Sequence, residues 1–131
     1  MGTRARIGIE HEDGSITSCY HHWDGYESWL GVKLNELYNS RQKAIELIRG
    51  GDMSVCCDDD GNPSPQYYSQ RGETCPPRLD LDYQDYTDKE RGEEYHYIFT
   101  TDDEWICIDQ HQWDGTDKTP EMVQIPGYEV D

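Results

Sequence analysis

Two segments of this chain bring chemically capable side chains together at short spacing. The first, His21-His22-Trp23-Asp24-Gly25-Tyr26, gathers an imidazole, an indole and a carboxylate on a turn, where a scaffold can present them to a ligand. His22, Trp23, Asp24 and Tyr26 are the candidate ligand contacts, with Trp23 and Tyr26 placed to stack on a nucleobase and Arg4, Arg6 or Lys33 to meet a phosphate. The plainer expectation is a tight turn in which Asp24-Gly25 sets the backbone, Trp23 fills a small core and His22 hydrogen-bonds locally. The second segment runs from Leu79 to Asp88 and interleaves carboxylates with tyrosines. On a strand, Asp80 and Asp82 would share a face about 6.6 Å apart, because each residue rises about 3.3 Å. Carboxylates so spaced suit a groove whose Lys and Arg are set for a nucleic-acid backbone, and tyrosine adds amphipathic contact area. Asp80, Asp82, Tyr83, Asp85, Tyr86 and Asp88 are therefore the candidate partner contacts. The plainer reading here is an exposed strand or helix of alternating sidedness.

Other chemistry is thinly represented. Cys19 with His21, Cys56-Cys57, and Cys107 with His111 supply soft ligands, yet the Cys-x-x-Cys or His-x-x-x-His spacing of a structural zinc site is missing, so no metal and no cofactor is expected. Asp58, Asp60 and Asn62 match the first ligands of a calcium loop, but Pro63 stands where its glycine belongs and Ser69 where its bidentate glutamate belongs. The sequence has no Gly-rich phosphate loop, no Gly-x-Ser-x-Gly elbow and no His-Glu-x-x-His helix, and a solvated carboxylate is a poor general acid at neutral pH. The expectation is a protein that is not an enzyme.

Charge says more than composition. Among 131 residues, positions 1–50 carry six Lys and Arg against seven Asp and Glu, whereas positions 51–131 carry five against twenty-one, so nearly all of the net −17 belongs to the later part. Such a field repels nucleic acid and anionic lipid and attracts basic surfaces. The predicted partner is thus a protein with a basic surface, with no direct nucleic-acid or membrane contact. No stretch approaches the roughly 20 apolar residues of a membrane span, and no apolar run follows the first residues, so a cytoplasmic location is expected. Five cysteines, two of them adjacent, read as free thiols rather than a disulfide framework.

These side chains need elements to hold them. Arg4–Glu10 and Ser15–Tyr20 alternate around Asp13-Gly14, a hairpin signal. Leu30, Leu34, Leu37 and Tyr38 then mark one face of a helix over about 28–39, and Ser40 caps a second whose buried side would be Ala44, Ile45 and Ile48, with Gly50-Gly51 ending it. Residues 58–78 read as a long irregular loop, 95–108 as a second hairpin, and 116–131 as an extended tail. His111-Gln112-Trp113-Asp114-Gly115 echoes the first turn, and the same offset sets Ile7 against Tyr97 and Ile9 against Phe99. The predicted architecture is a single α+β domain, a four-stranded antiparallel ββααββ sheet with both helices on one face and a long acidic loop.

Tyr20-His21-His22-Trp23-Asp24-Gly25-Tyr26, followed by Gly31, Leu34 and Tyr38 and a Gly51-Asp52 step, resembles small tailed-bacteriophage accessory proteins. In these a Tyr-x-His-Trp-Asp-Gly-Tyr segment follows an N-terminal hairpin and leads into a helix. The likeness covers about residues 4–54. It implies a gene expressed in the cytoplasm of an infected bacterial host, of a kind that commonly inhibits a host enzyme or defence system. With the charge asymmetry it leads to the expectation of a counter-defence inhibitor, anti-CRISPR or anti-restriction in type, that mimics nucleic acid. A sponge for a nucleotide immune signal and a minor virion component are the alternatives.

Overall fold

The computed structural model describes residues 3–58, 60, 62–87, 93–109 and 122–123. The first alternating run pairs as expected: β1 (Ala5–Glu10) and β2 (Ile16–His21) form an antiparallel hairpin with Ile7 opposite Cys19, and Gly14 takes the positive φ that its turn requires. A π-helical turn, Glu27–Gly31, runs into α1 (Val32–Leu37), and α2 spans Arg41–Arg49. Ser40 caps α2 by accepting the Lys43 N–H at 3.3 Å. Among the described residues of 52–77 the regular features are a 3-10 turn, Tyr68–Arg71, and isolated bridges that join Met53 to His21 and Tyr67 and Cys57 to Pro63; the start of the segment is tied to the sheet because Asp52 Oδ1 accepts the Tyr20 N–H and Met53 N–H reaches Tyr20 O. The chain then adds β3 (Arg78–Asp80), a one-turn helix α3 (Tyr83–Tyr86), the hairpin β4 (Tyr95–Phe99) and β5 (Trp105–Asp109), and a two-residue β6 (Met122–Val123).

The class is α+β, and the sheet is mixed, in the order β3-β2-β1-β4-β5-β6. The expected four-stranded antiparallel sheet is corrected on two counts. The hairpins meet through their first strands, which run the same way, so β1 and β4 are parallel, with Ile7 opposite Tyr97 and Ile9 opposite Phe99. These are the pairs that the echo in the sequence aligned, although His111–Gly115 itself lies outside the described residues. The outer strands β2 and β5 then each accept a further strand: Arg78–Asp80 extends one edge, and Met122–Val123, inside the expected tail, extends the other.

Both helices do lie on one face. Ile7, Ile9, Cys19, Tyr97, Phe99 and Cys107 project from the sheet into a core completed by Leu30, Leu34, Ala44, Leu47 and Ile48. Leu47 takes the buried place expected of Ile45, whose side chain is 39% exposed. The opposite face has its own smaller core, built from Ile16, Ile98 and Ile108 beneath Tyr86. Gly8 makes that second core possible: a Cβ there would lie 2.9 Å from the Tyr86 ring and 2.7 Å from Ile16 Cγ2.

Candidate functional site

The acidic segment is placed quite differently from a free strand. After β3 it crosses the second face of the sheet as a strap, which Tyr86 fastens: its ring is fully buried, its hydroxyl donates to Tyr97 O at 2.6 Å, and it meets His96 edge-on with centroids 5.1 Å apart. Burial holds its phenol well above the ordinary value near 10, so it stays a donor. Asp82 caps α3 by accepting the Asp85 N–H at 2.9 Å.

The strap inverts the polarity of its own alternation. Asp80 is 2% exposed, whereas its neighbours Leu79 and Leu81 are 61% and 74% exposed. Asp80 turns inward because Arg78 Nε donates to its Oδ2 at 2.9 Å, and Arg78 also lies 3.9 Å from buried Glu93. Arg6 continues the network, 3.8 Å from Glu93 and 4.0 Å from Asp52, with its guanidinium donating to Ser18 Oγ and Ser18 O. Two arginines held by three carboxylates form an internal scaffold under the strap, and the sequence reading did not find it.

Two of the six acidic-segment candidates are corrected on this ground: buried as they are, Asp80 and Tyr86 cannot face a partner in this fold. Asp82 and Asp85 are exposed, Tyr83 is half-buried against the second core, and Asp88 lies outside the described residues. Leu79 and Leu81 were missed, although their alternation with Asp80 and Asp82 was visible. An apolar-polar alternation does not say which side faces inward.

The His-Trp-Asp-Gly turn is held by backbone bonds: His22 and Trp23 N–H both reach Ser54 O, Gly25 N–H reaches Thr3 O, and Tyr97 Oη donates to Gly25 O at 2.7 Å. Asp24 adopts φ 53, and a Cβ on Gly25 would stand 2.6 Å from Thr3 O, so this dipeptide does set the turn. His22 pairs locally, its Nδ1 2.8 Å from Tyr20 Oη. Trp23 departs from the expectation of a core residue: it is 46% exposed and packs edge-on against His22 at 4.7 Å. Tyr26 is half-buried, and Arg6, a candidate phosphate contact, is committed beneath the strap.

His21 and the cysteines form an interior cluster. His21 Nε2 accepts the Cys56 N–H at 3.1 Å, so the proton sits on Nδ1, a buried atom with no hydrogen-bond partner. Burial, aided by His22, lowers the His21 pKa from 6.5 to about 3. Between those values the unfolded chain binds a proton that the folded protein refuses, so this contribution to stability is present at neutral pH and is lost as pH falls from 6.5 towards 3. The expected loss between about pH 7 and pH 5 is roughly 2 kcal/mol. His21→Asn, which keeps an acceptor and does not titrate, should show a flatter urea-midpoint profile over that interval; parallel profiles would exclude His21 as the cause. Cys56 Sγ lies 3.0 Å from Cys57 Sγ, and their hydrogen bond raises the Cys56 thiol while lowering that of Cys57, near Lys33. Among the described residues no three His, Cys, Asp or Glu gather in a metal-holding arrangement. Asp58 Oδ1 is occupied by the Asp60 and Asn62 N–H groups of its own loop.

No family model, no curated protein and no solved structure matches this chain.

Proposed function

We propose that the protein acts by binding, as an acidic inhibitor that occupies a basic, nucleic-acid-binding surface of another protein. The sequence resemblance to phage accessory proteins makes a host defence protein the partner we put forward. Catalysis, a cofactor, a membrane and direct nucleic-acid contact form no part of this reading. The observation that carries it is the exposure of Leu79 and Leu81 within a few residues of exposed Asp82 and Asp85. A charged field speeds encounter with a basic surface, and desolvated apolar contacts slow escape from it.

The experiment begins with capture of the partner from host lysate and its identification by mass spectrometry. Asp82→Asn combined with Asp85→Asn should then slow association several-fold and flatten its salt dependence. Neutralising Asp58 and Asp60 removes the same charge from a loop remote in sequence and should do less. An unchanged rate and salt dependence in the first variant would count against the acidic-mimic reading. Exposed Trp23 favours a second reading, a site that stacks a nucleobase beside His22. Calorimetry with cyclic nucleotides distinguishes the two, because only the second predicts heat that Trp23→Ala abolishes.

A further inference from the structure

Four large hydrophobic side chains are exposed among the described residues: Trp23, Ile45, Leu79 and Leu81. Two of them, Ile45 and Leu79, belong to the helix-bearing side of the sheet. Between α2 and the β2–β3 edge lies an open cleft of about 280 Å³, lined by Ile9, Thr17, Ile45, Ile48 and Pro77 together with His11 and Arg49. Leu79 stands directly opposite Thr17 and therefore on the same face of the sheet as the cleft. Beside it β3 is the outermost strand, and among the described residues nothing pairs with its outer edge. Proteins usually blunt such an edge with outward charges. Here the charge of Asp80 is turned inward and the leucines face out.

Electrostatics along the cleft have a direction. Asp80 lies opposite Ile16, so Leu81 and Asp82 continue towards the β1–β2 turn, which carries exposed Glu12 and Asp13. That end is acidic, with His11 lining the cleft beside it, and Arg49 stands in the last turn of α2. We infer that the β3 edge and its apolar cleft take an extended, basic segment of a partner protein, which adds as a strand outside β3. Its alternate apolar side chains lie against Leu79 and Ile45, and its Lys or Arg residues are at the end nearest Glu12, Asp13 and Asp82. Strand addition supplies backbone hydrogen bonds, and the cleft reads every second side chain. This inference rests on the acidic-inhibitor reading and assigns it a place. A second copy of the chain is a weaker candidate because two bodies of net charge −17 repel.

The probe is a random twelve-residue peptide library displayed on phage and selected against the intact protein, with Leu79→Thr, Leu81→Thr and Ile45→Gln variants for comparison. All three positions are exposed, and an unchanged thermal midpoint confirms the fold. The inference predicts enrichment of peptides with Lys or Arg at one end of an alternating apolar run, whose affinity falls at least tenfold in the Leu79→Thr and Ile45→Gln variants. Basic peptides that bind the variants equally well would overturn the site while leaving the acidic reading standing. Peptides lacking basic residues but sensitive to the variants would overturn the proposed partner and the acidic reading with it. No enrichment, or concentration-dependent self-association removed by Leu79→Thr, would also overturn the inference.

Discussion

Truncating Tyr86 to Ala should lower the free energy of unfolding by about 3–5 kcal/mol, the range for removing a buried aromatic ring. The ring is fully buried over Gly8 and is the centre of the second core, so its loss leaves Ile16, Ile98 and Ile108 facing a cavity. Tyr86→Phe separates packing from bonding: it keeps the ring and removes only the hydroxyl bond to Tyr97 O, for about 1 kcal/mol. Gly8→Ala approaches the same contact from below and should cost about 1–3 kcal/mol through overpacking. Urea denaturation of the three variants gives the order. If Tyr86→Ala unfolded at the same midpoint as the parent chain, residues 78–87 would not form the strap described above.

Asp80 should behave unlike its acidic neighbours. Replacing it with Ala strips the 2.9 Å partner from Arg78 and leaves a guanidinium largely within the protein. Breaking a buried pair from one side costs about 3–5 kcal/mol. The lower end, about 3 kcal/mol, is expected because 27% of the Arg78 side chain still meets solvent. Asp85→Asn, at an exposed position, should change stability by less than about 0.5 kcal/mol. Asp82→Ala, which removes the cap of α3, should cost about 1 kcal/mol. Equal effects from Asp80→Ala and Asp85→Asn would mean that the Arg78–Asp80 pair contributes nothing in solution. The contrast also matters for any charge-neutralisation series: including Asp80 would mix a folding defect into a binding measurement.

Part of this molecule was legible in the sequence because the interactions concerned are local. Asp13-Gly14 and the alternating runs around it define the first hairpin, Tyr95–Phe99 and Trp105–Asp109 the second, and Ser40 with its Lys43 N–H bond starts α2. In each case the partners are close along the chain, where turn chemistry and side-chain period select the register. The same holds for the positive φ of Asp24, a turn property, whereas the close approach of Gly25 to Thr3 O comes from a distant part of the chain.

Only the tertiary structure decided what covers each face of the sheet. β1 is central and buried on both sides, and the small Gly8 and the charged Arg6 gave no sign in sequence of the Tyr86 ring and the Glu93 carboxylate that meet them from far along the chain. For the candidate site, alternation in Leu79-Asp80-Leu81-Asp82 announced two faces without naming the inner one. Arg78 and Glu93 made it the aspartate side, because a buried charge is tolerable where it is paired, and the leucines were thereby turned to the surface. Hydrophobic pattern sets which residues share a side; the partners brought in from distant sequence set which side is in.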